Sequence, residues 1–385
     1  ASRSIVATEK GQLGMIDRTV KTGLYNSYWI DACWFRDGFP SGVGNYVFCE
    51  GFPESFKNIS RFLHDKGMKF IVWFEPERID IGSDTYAFAK DKPGWILENP
   101  NPDDRNRIFN LGNADARKWL AGTIGDFIAE NGIDCYRQDF NADPLGFWRT
   151  ADPDGQKGIT ENKYVTGLYK YWDELLDRFP ELYIDNCSSG GRRNDFETMS
   201  RSMPMWQSDT SCTGAPQTAM IHQNENAGLH TYLPFHTAST WWEKAYEVRS
   251  AMTSGIIANF DVGNPQYEPM LAEKAMKEVK HLSVYWDGSY KALTEIKPSE
   301  TVGFAYQLTK NNRGYVAVFR RAEDEEAVKT IWFADLEPKT VYKLTFTDEI
   351  YKRWTATKTG RELMEGISVE LPEKRTSMII EFRAL

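Results

Sequence analysis

Residues 113–141, NADARKWLAGTIGDFIAENGIDCYRQDFN, join a helix pattern directly to a strand pattern. Apolar side chains recur at helical spacing over 113–132, and Asn113 is suited to the N-cap position of that helix. The segment that follows, IDCYRQDFN (133–141), is rich in strand-forming residues and places the acid Asp139 near its end. The stretch therefore predicts a helix that leads into a buried strand with a carboxylate where that strand ends.

The same alternation of strand and helix patterns continues over about residues 10–290. Further helix patterns lie at 55–67, which ends at Gly67, and at 161–180, which ends at Pro180. Strand patterns lie at 24–34, 68–77, 133–141, 182–189, 204–210, 228–236 and 255–262. This alternation, with no GxGxxG or GxxxxGK[ST] loop after any strand, predicts an α/β fold of the (β/α)₈ TIM-barrel type rather than a nucleotide-binding doubly wound sheet.

From about residue 291 the sequence changes to short strand-like segments separated by polar turns. No helix pattern of normal length fits between them, so they predict a small antiparallel β-sandwich. We therefore expect 1–290 to form the barrel and 291–385 a C-terminal antiparallel β domain. Only seven barrel strands are recognisable. Either ASRSIVA (1–7) is the eighth, or the barrel lacks part of its first unit, and we favour the second interpretation.

Composition and charge narrow the classes of partner. The chain has 385 residues and a net charge of −9, which argues against nucleic acid or an anionic membrane as partner. No apolar run approaches the roughly 20 residues needed to cross a bilayer. The cysteines form no CxxC pair and no zinc spacing, and the N-terminal residues lack a signal-peptide pattern. These features slightly favour a cytoplasmic location, but a leader removed earlier would leave the same sequence, so the location stays open.

Polar residues recur where the predicted strands end, which is where barrel enzymes place their chemistry. They are Asp31, Glu75, Glu77, Asp139, Cys187, Asp209 and His236. Arg137 lies two residues before Asp139 and so points to the same face of the strand. A cation there keeps a carboxylate ionised, as a nucleophile requires. From these residues alone, a buried Arg–Asp pair that only braces the barrel is an equal interpretation.

Asp209, in MWQSDT (204–210), is the second candidate carboxylate. A retaining glycosidase needs two carboxyl groups about 5–5.5 Å apart, one to attack the anomeric carbon and one to protonate the leaving oxygen. Met205 and Trp206 give Asp209 the apolar setting that suits a general acid. The alternative is that Asp209 only N-caps the segment that follows.

Metal and nucleophilic serine chemistry have weaker support. Glu75, Glu77 and Asp139 offer hard oxygen ligands for a divalent cation, but no histidines are spaced HxH or HExxH and no GxSxG motif is present. We therefore predict no metal and no cofactor. The segment CSSGGRRND (187–195) combines glycines, which allow close approach, with arginines that suit a substrate hydroxyl or an acid such as Asp195. A structural turn is the alternative interpretation of this segment.

Four motifs together resemble glycoside hydrolase family 36, a family of bacterial α-galactosidases. They are KGMKFIVWFEPERI (66–79), GIDCYRQDFN (132–141), DNCSSGGRRNDFETMSRS (185–202) and WQSDT (206–210). The resemblance implies that Asp139 is the nucleophile and Asp209 the acid/base. It also implies that a set of residues contacts the sugar, namely Asp31, Trp34, Trp73, Arg137, Cys187, Gly190 and Arg192.

The chain departs from the family pattern in three ways. The family commonly closes its second strand with two acids, whereas here Asp31 is followed by Ala32. A lysine usually stands two residues before the nucleophile, where this chain has Arg137, whose guanidinium donates a fork of hydrogen bonds. The large N-terminal β domain of the longer family members is absent from these residues. The first two changes affect sugar selection more than the paired acids.

The resemblance thus implies a retaining exo-α-glycosidase that hydrolyses terminal α-galactosides through a covalent glycosyl-aspartate. The loss of an acid at Ala32 leaves an α-galactosaminidase or α-N-acetylgalactosaminidase as alternatives, and a non-catalytic carbohydrate-binding protein as another. The expected partner is an oligosaccharide or glycoconjugate. The sequence leaves open transglycosylation against hydrolysis, and whether the protein is a homo-oligomer.

Overall fold

The computed structural model describes residues 8–233 and 235–385. The chain forms two compact units, one that ends at Met205 and one formed by Trp206–Leu385. The predicted strand ASRSIVA (1–7) lies outside the described residues. Within the part of the chain that is described, no helix is both long and apolar enough to cross a membrane.

The first unit alternates strands and helices as the sequence predicts. Its strands are β1 (Ser27–Ile30), β2 (Lys69–Phe74), β3 (Arg78–Asp80), β4 (Ile96–Leu97), β5 (Asn106–Phe109), β6 (Cys135–Gln138), β7 (Tyr183–Asn186) and β8 (Met205–Trp206), which begins at the last residue of the unit. Its helices are α1 (Glu9–Val20), α2 (Lys57–His64), α3 (Asp84–Ala89), α4 (Ala114–Asn131), α5 (Leu145–Ala151), α6 (Ile159–Arg178) and α7 (Phe196–Met199).

Strands β1, β2, β6 and β7 are hydrogen-bonded in that order, and each pair is parallel. The stretch 113–141 folds as predicted, because Asn113 caps α4 by accepting from the N–H groups of Asp115 and Ala116. Gly132 ends the helix in the left-handed conformation, at φ 60°, and the chain then enters β6. The α/β class is therefore confirmed, with the carboxyl ends of the parallel strands at one edge of the sheet.

The hydrophobic core of this unit lies where α2 and α4 cover the parallel strands. In α4 the buried side chains recur at helical spacing, as at Leu120, Ile124 and Ile128. Aromatic side chains fill much of the space, among them Trp34, Phe56 and Phe74, all nearly inaccessible to solvent. This packing makes β2 and β6 rigid supports for the residues at their ends.

An antiparallel sheet that the sequence did not predict follows β2. Its order is β3–β5–β4, and it forms between residues 78 and 109. These strands are short, and β4 contains only Ile96 and Leu97. A period-two pattern cannot be recognised over so few residues, which explains why the insertion was missed.

The second unit contains α8 (Thr218–Leu229), α9 (Ala245–Ala251), α10 (Pro269–Leu282) and α11 (Gly360–Glu365). Its strands are β9 (His236–Thr240), β10 (Ile256–Ala258), β11 (Ser289–Ala292), β12 (Phe304–Lys310), β13 (Arg313–Arg320), β14 (Val328–Ile331), β15 (Val341–Thr347), β16 (Arg353–Thr359), β17 (Ile367–Glu370) and β18 (Thr376–Ala384). Strands β9 and β10 are parallel to each other. Short 3-10 helices cover Asp209–Cys212 and Ser283–Tyr285.

The strand predicted at 228–236 is wrong. Helix α8 continues to Leu229, and His236 is the first residue of β9 rather than the last residue of a strand. The helix was missed because its buried face is largely polar and includes His222, Gln223 and Asn226. An apolar stripe, the usual signal of such a helix, is therefore lacking.

The residues after β11 form the antiparallel sheets that the sequence predicts. One sheet within the described residues has the order β11–β12–β13–β18–β15–β16, and β14 pairs with β17 in another. Their core includes Val316, Leu344, Val369 and Ile380. Strand β16 has mostly exposed side chains, so no apolar alternation marks it in the sequence. The domain boundary predicted near residue 290 stays a prediction.

Candidate active site

Asp139 follows the last residue of β6, and its carboxylate is held by hydrogen-bond donors on both oxygens. Oδ1 accepts from the backbone N–H groups of Phe140 at 2.7 Å and Ser189 at 3.0 Å. Oδ2 accepts from the side-chain amide of Asn141 at 2.7 Å and from the indole N–H of Trp73 at 3.2 Å. Asp139 is only 7% exposed, so these donors replace the water that it loses on folding.

The environment of Asp139 favours its ionised form. Burial by itself raises the pKa of this carboxyl group, but the charge of Arg137 and the hydrogen bonds from Ser189, Asn141 and Cys187 oppose burial and leave the pKa below its ordinary value. An ionised carboxylate with fixed orientation at a strand end can act as a nucleophile.

Arg137 forms a salt bridge with Asp185. Its Nη1 lies 2.6 Å from Asp185 Oδ1, and both side chains are almost fully buried. The two residues are register partners in the parallel pair of β6 and β7. The guanidinium also lies over the ring of Trp29, 4.1 Å from its centroid. Arg137 thus braces two strands through Asp185, and its charge also favours the ionised form of Asp139.

The turn after β7 carries Cys187 and Gly190 to the same carboxylate. Gly190 has φ 92°, a conformation that suits glycine, and its carbonyl accepts from Ser188 N–H at 2.8 Å. This turn directs the N–H of Ser189 at Asp139. Burial raises the pKa of the Cys187 thiol well above its ordinary value, so the thiol stays protonated and donates to Asp139. Cys187 and Gly190 are therefore brought together with Asp139.

Asn141 links Asp139 to the acid Glu75 at the end of β2. Its backbone N–H donates to Glu75 Oε1 at 2.6 Å, and its side-chain amide lies 3.2 Å from Glu75 Oε2. Arg78 donates to both oxygens of Glu75, each at 2.6 Å. Sequence reading missed the role of Asn141, although its position two residues after Asp139 placed it within reach.

Glu77 is also saturated by donors. Its Oε1 accepts from the side-chain amide of Gln138 at 2.7 Å and from Arg193 at 2.5 Å, and its Oε2 accepts from the hydroxyl of Tyr164 at 2.8 Å. Arginines thus neutralise both Glu75 and Glu77. In residues 8–233 and 235–385, no group of His, Cys, Asp or Glu side chains is arranged to hold a metal ion.

The other predicted contact residues of this unit differ in their placement. Trp73 donates to Asp139 and Asp31 lies at the exposed end of β1, where its charge acts on Arg137. Trp34, in contrast, is buried in the aromatic core and donates its indole N–H to the carbonyl of Trp73 at 2.9 Å.

Arg192 is placed at the surface, where its side chain is 57% exposed and lies 3.1 Å from Asp143. Asp195 is not clamped by either arginine of its segment. It caps α7 by accepting from the N–H groups of Glu197 and Thr198. The segment 187–195 therefore combines a site turn with a helix cap.

In the second unit, Asp209 is the first residue of the 3-10 helix Asp209–Cys212 and is exposed, so the apolar setting expected from Met205 and Trp206 is wrong. Its Oδ1 accepts from the indole N–H of Trp206 at 3.1 Å. The N-cap of this turn is Ser208, whose hydroxyl accepts from Thr210 N–H at 3.2 Å. The alternative role of Asp209 as the N-cap is thus filled by its neighbour, and its carboxylate is accessible to solvent.

A parallel α/β sheet with a buried, ionised carboxylate at a strand end, followed by antiparallel sheets, is an arrangement of the glycoside hydrolase class. Comparison with known families agrees, because the Melibiase family model matches residues 8–224. The chain belongs to the Melibiase family, and its resemblance to glycoside hydrolase family 36 is confirmed.

Two similar curated proteins are bacterial. One is α-galactosidase Mel36A of Lactobacillus acidophilus, 25% identical over 368 residues that cover 88% of this chain and 48% of the relative. Another is α-galactosidase 1 of Pediococcus pentosaceus, 27% identical over 369 residues that cover 91% of this chain and 49% of the relative. The chain thus spans about half the length of these relatives.

A solved structure with the same fold is a variant of the family 36 α-galactosidase AgaA from Geobacillus stearothermophilus, in complex with raffinose. It superposes with a TM-score of 0.82 at 20% identity, over 98% of this chain and 54% of AgaA. AgaB from the same organism gives a TM-score of 0.83 at 20% identity, over 98% of this chain and 53% of AgaB. At this identity the likeness concerns the fold.

Proposed function

We propose that the chain is the catalytic part of a retaining exo-α-glycosidase that hydrolyses terminal α-galactosides. The observation that carries this proposal is the environment of Asp139: a buried carboxylate kept ionised by Arg137, with donors that fix its orientation at the end of a parallel strand. The names of the curated relatives support the choice of sugar, since both are α-galactosidases.

In the first step, an oxygen of Asp139 attacks the anomeric carbon of the bound sugar. The bond from that carbon to the leaving oxygen breaks, and Asp209 gives its proton to the leaving oxygen. The products of this step are the free alcohol and a glycosyl ester of Asp139. The exposure of Asp209 supports this role, because an acid/base must reach both the leaving group and water.

In the second step, water attacks the anomeric carbon and loses a proton to Asp209. The ester bond breaks, and Asp139 is released as a carboxylate. Two displacements at the same carbon keep the α configuration. Both steps need the carboxyl groups about 5–5.5 Å apart, and we propose that a closed (β/α)₈ barrel over about 1–290 brings them to that separation, with 291–385 as the β domain.

The substrate is proposed to be an oligosaccharide or glycoconjugate with a terminal α-galactose. Raffinose, the ligand of the AgaA complex, belongs to this class and supports the proposal. The proposed sugar contacts are Asp31, Trp34, Trp73, Arg137, Cys187, Gly190 and Arg192. Trp34 differs from the others in that its ring lies in the aromatic core.

The test is covalent trapping. A fluorinated galactosyl fluoride, which slows the second step, loses its anomeric fluoride and should add one fluorogalactosyl mass to Asp139 in peptide mass spectrometry. Asp139→Ala should lose the adduct and turnover, whereas the exposed control Asp154→Ala should keep both. Product analysis by NMR should show retained α configuration. Full activity of Asp139→Ala, or inversion at the anomeric carbon, would refute the mechanism.

Ala32 favours a second candidate sugar. It follows Asp31 where the family pattern has another acid, so one anionic acceptor for sugar hydroxyls is lost. A 2-amino or N-acetylamino galactose would suit such a site. A panel of aryl α-glycosides of galactose, galactosamine, N-acetylgalactosamine and glucose separates the candidates. Turnover of none of them, with binding retained, would favour a carbohydrate-binding protein.

A further inference from the structure

Four consecutive polar residues of α8, 223–226, connect this helix to different parts of the second unit. Gln223 donates to Ser250 Oγ at 2.9 Å, and Asn226 donates to the carbonyl of Ser250 at 2.8 Å. Asn226 Oδ1 also accepts from Gln207 at 2.5 Å. A helix turns by about 100° per residue, so neighbouring residues point in different directions. Glu225 is the member of this run that points at Ser208.

Glu225 is an unusual side chain for this place. The neighbouring hydroxyl of Ser208 acts on the pKa of its carboxyl group, while its Oε2 is shielded from solvent and has no hydrogen-bond partner among residues 8–233 and 235–385. An ionised carboxylate with a shielded, unpaired oxygen is costly, and a protein retains such a group at a cost in stability. The presence of Glu225 at this place is therefore better explained by a neighbouring residue that it holds in position than by a contribution to the stability of the fold.

Ser208 is the residue through which Glu225 can act on the proposed acid/base. Ser208 caps the 3-10 turn that begins at Asp209, because its hydroxyl accepts from Thr210 N–H at 3.2 Å. The same hydroxyl lies 3.0 Å from Thr210 Oγ1, to which it can donate. Any displacement of Ser208 therefore changes the geometry of the turn that carries Asp209.

We propose that Glu225 is a positioning residue, which holds Ser208 and thereby fixes the turn that carries Asp209. This inference rests on the proposed function, because it assumes that Asp209 is the acid/base. Glu225 itself does not touch the substrate.

A count of protons supports the arrangement. The hydroxyl of Ser208 has one hydrogen, so it can donate either to Thr210 Oγ1 or to Glu225, but not to both. If Glu225 is protonated, it donates to Ser208, and Ser208 remains free to donate to Thr210. Burial raises the pKa of Glu225 to about 7 against the opposing effect of Ser208, so its protonated and ionised forms are both populated at neutral pH. A glutamine amide would donate in the same way.

The consequence for catalysis depends on the leaving group. A glycoside with a poor leaving group needs a proton from the acid/base. The fluoride ion of a glycosyl fluoride, in contrast, leaves with little help from an acid. A displaced Asp209 should therefore slow the first kind of substrate and spare the second. A general loss of structure would slow both.

The experiment measures kcat/KM of the full chain on phenyl α-galactoside and on α-galactosyl fluoride. We expect Glu225→Ala to lower the value for the phenyl glycoside by about tenfold or more, and for the fluoride by less than about twofold, since general acid catalysis is worth about 10²–10⁴-fold in all. Glu225→Gln should retain most of the activity. Glu273→Ala, which removes a half-exposed glutamate of α10, is the matched control and should change neither value.

A double-mutant cycle tests the path through Ser208. Ser208→Ala should show the same dependence on leaving group as Glu225→Ala, and adding Glu225→Ala to it should cause little further loss. Thermal melting of each variant reports whether it folds, and Glu225→Gln keeps the test open if the alanine variant does not.

Two results would overturn the inference and are distinguishable. If Glu225→Ala slows both substrates equally, or if its effect persists fully in Ser208→Ala, Glu225 does not position Asp209, even when Asp209→Ala depends strongly on the leaving group. If Asp209→Ala itself slows both substrates equally, the proposed acid/base fails, and this inference fails with it.

Discussion

Asn141 fixes the orientation of Asp139 by donating its side-chain amide to Oδ2 at 2.7 Å. The orientation of the amide is itself determined by its other contacts. Asn141 Oδ1 accepts from the hydroxyl of Ser189 at 2.8 Å, and the backbone N–H of Asn141 donates to Glu75 at 2.6 Å. Ser189 also donates its N–H to the other oxygen of Asp139. The proposed nucleophile is thus held by two residues that also hold each other.

Replacement of Asn141 should affect catalysis more than stability. We expect Asn141→Ala to lower kcat/KM by about 10–100-fold, because the carboxylate loses a donor that fixes its direction of attack. In Asn141→Asp a new negative charge lies beside Asp139 and raises its pKa, so the acid limb of the pH profile of kcat/KM should move to higher pH. Unchanged activity in both variants would contradict the positioning role.

Arg137 should matter for both stability and pH dependence. Arg137→Met leaves Asp185 buried without its cation, which should reduce the free energy of unfolding by about 3–5 kcal/mol. It also removes the charge that lowers the pKa of Asp139, so the acid limb of kcat/KM should move to higher pH. Urea denaturation and the pH profile measure the two effects.

Two variants serve as controls for this prediction. Arg137→Lys keeps the charge but loses the guanidinium over Trp29, so its stability should lie between those of the wild type and Arg137→Met. Arg178→Met removes a surface pair with Asp126 and should cost less than about 1 kcal/mol. If Arg137→Met and Arg178→Met lowered the free energy of unfolding equally, the buried pair of Arg137 and Asp185 would contribute no more to stability than a surface pair.

The sequence predicted Asp139 and Arg137 as site residues, but it did not predict the salt bridge between Arg137 and Asp185. Asp185 lies two residues before Cys187, just as Arg137 lies two residues before Asp139, so both point the same way on their strands. To pair them, one must know that β6 and β7 are adjacent and in register, which local sequence does not encode. Asn141 and Ser189 were missed for a related reason, since turn geometry directs them at Asp139.

Trp34 is a residue for which the local strand pattern in the sequence predicts the wrong structure. Period-two alternation through 24–34 treats Trp34 as part of a strand, but β1 ends at Ile30. The chain then turns, with Cys33 N–H donating to the carbonyl of Asp31 at 2.7 Å, and Trp34 enters the aromatic core. Helix α8 shows a different limit, because tertiary contacts bury polar residues that a sequence pattern assigns to the surface.

Because several histidines are buried, we expect the free energy of unfolding to decrease in acid. Burial lowers the pKa of His222 and His230 to about 4 and that of His236 to about 3. Unfolding returns each to about 6.5, so the unfolded chain binds more protons below that pH. The stability that they contribute is complete above about pH 6.5 and is lost as the pH falls towards 4, by up to about 3 kcal/mol for each histidine.

Glu225 acts in the opposite direction over part of this range. Its pKa is raised to about 7, so its neutral form stabilises the fold below about pH 4.5, and this contribution is lost as the pH rises through 7. The histidines outnumber it, and a net decrease on acidification is expected. Urea denaturation between pH 7.5 and 4.5 measures the slope, which should be smaller in His236→Gln. The exposed control His281→Gln should change the slope much less.

Arg321, which follows β13, should be required for the stability of the second unit. This buried side chain donates to Gln223 Oε1 at 2.8 Å and Asn224 Oδ1 at 2.9 Å on α8. It also donates to the carbonyls of Lys297 and Ser299, at 2.6 and 2.8 Å. Arg321 thus joins the helix that carries Glu225 to the antiparallel sheets through neutral acceptors.

Arg321→Leu removes these donors and leaves the buried Gln223 Oε1 and three part-buried acceptors without them, which should reduce the free energy of unfolding by about 2–4 kcal/mol. Arg321→Lys restores a charge but not the fork of donors, so it should recover less than half of the loss. The exposed control Arg313→Leu, on the same strand hairpin, should change stability by less than about 0.5 kcal/mol. If Arg321→Leu proved as stable as this control, the contacts of Arg321 with α8 would not contribute to the free energy of unfolding. Helix α8, which carries Glu225, would then be held in place by other contacts.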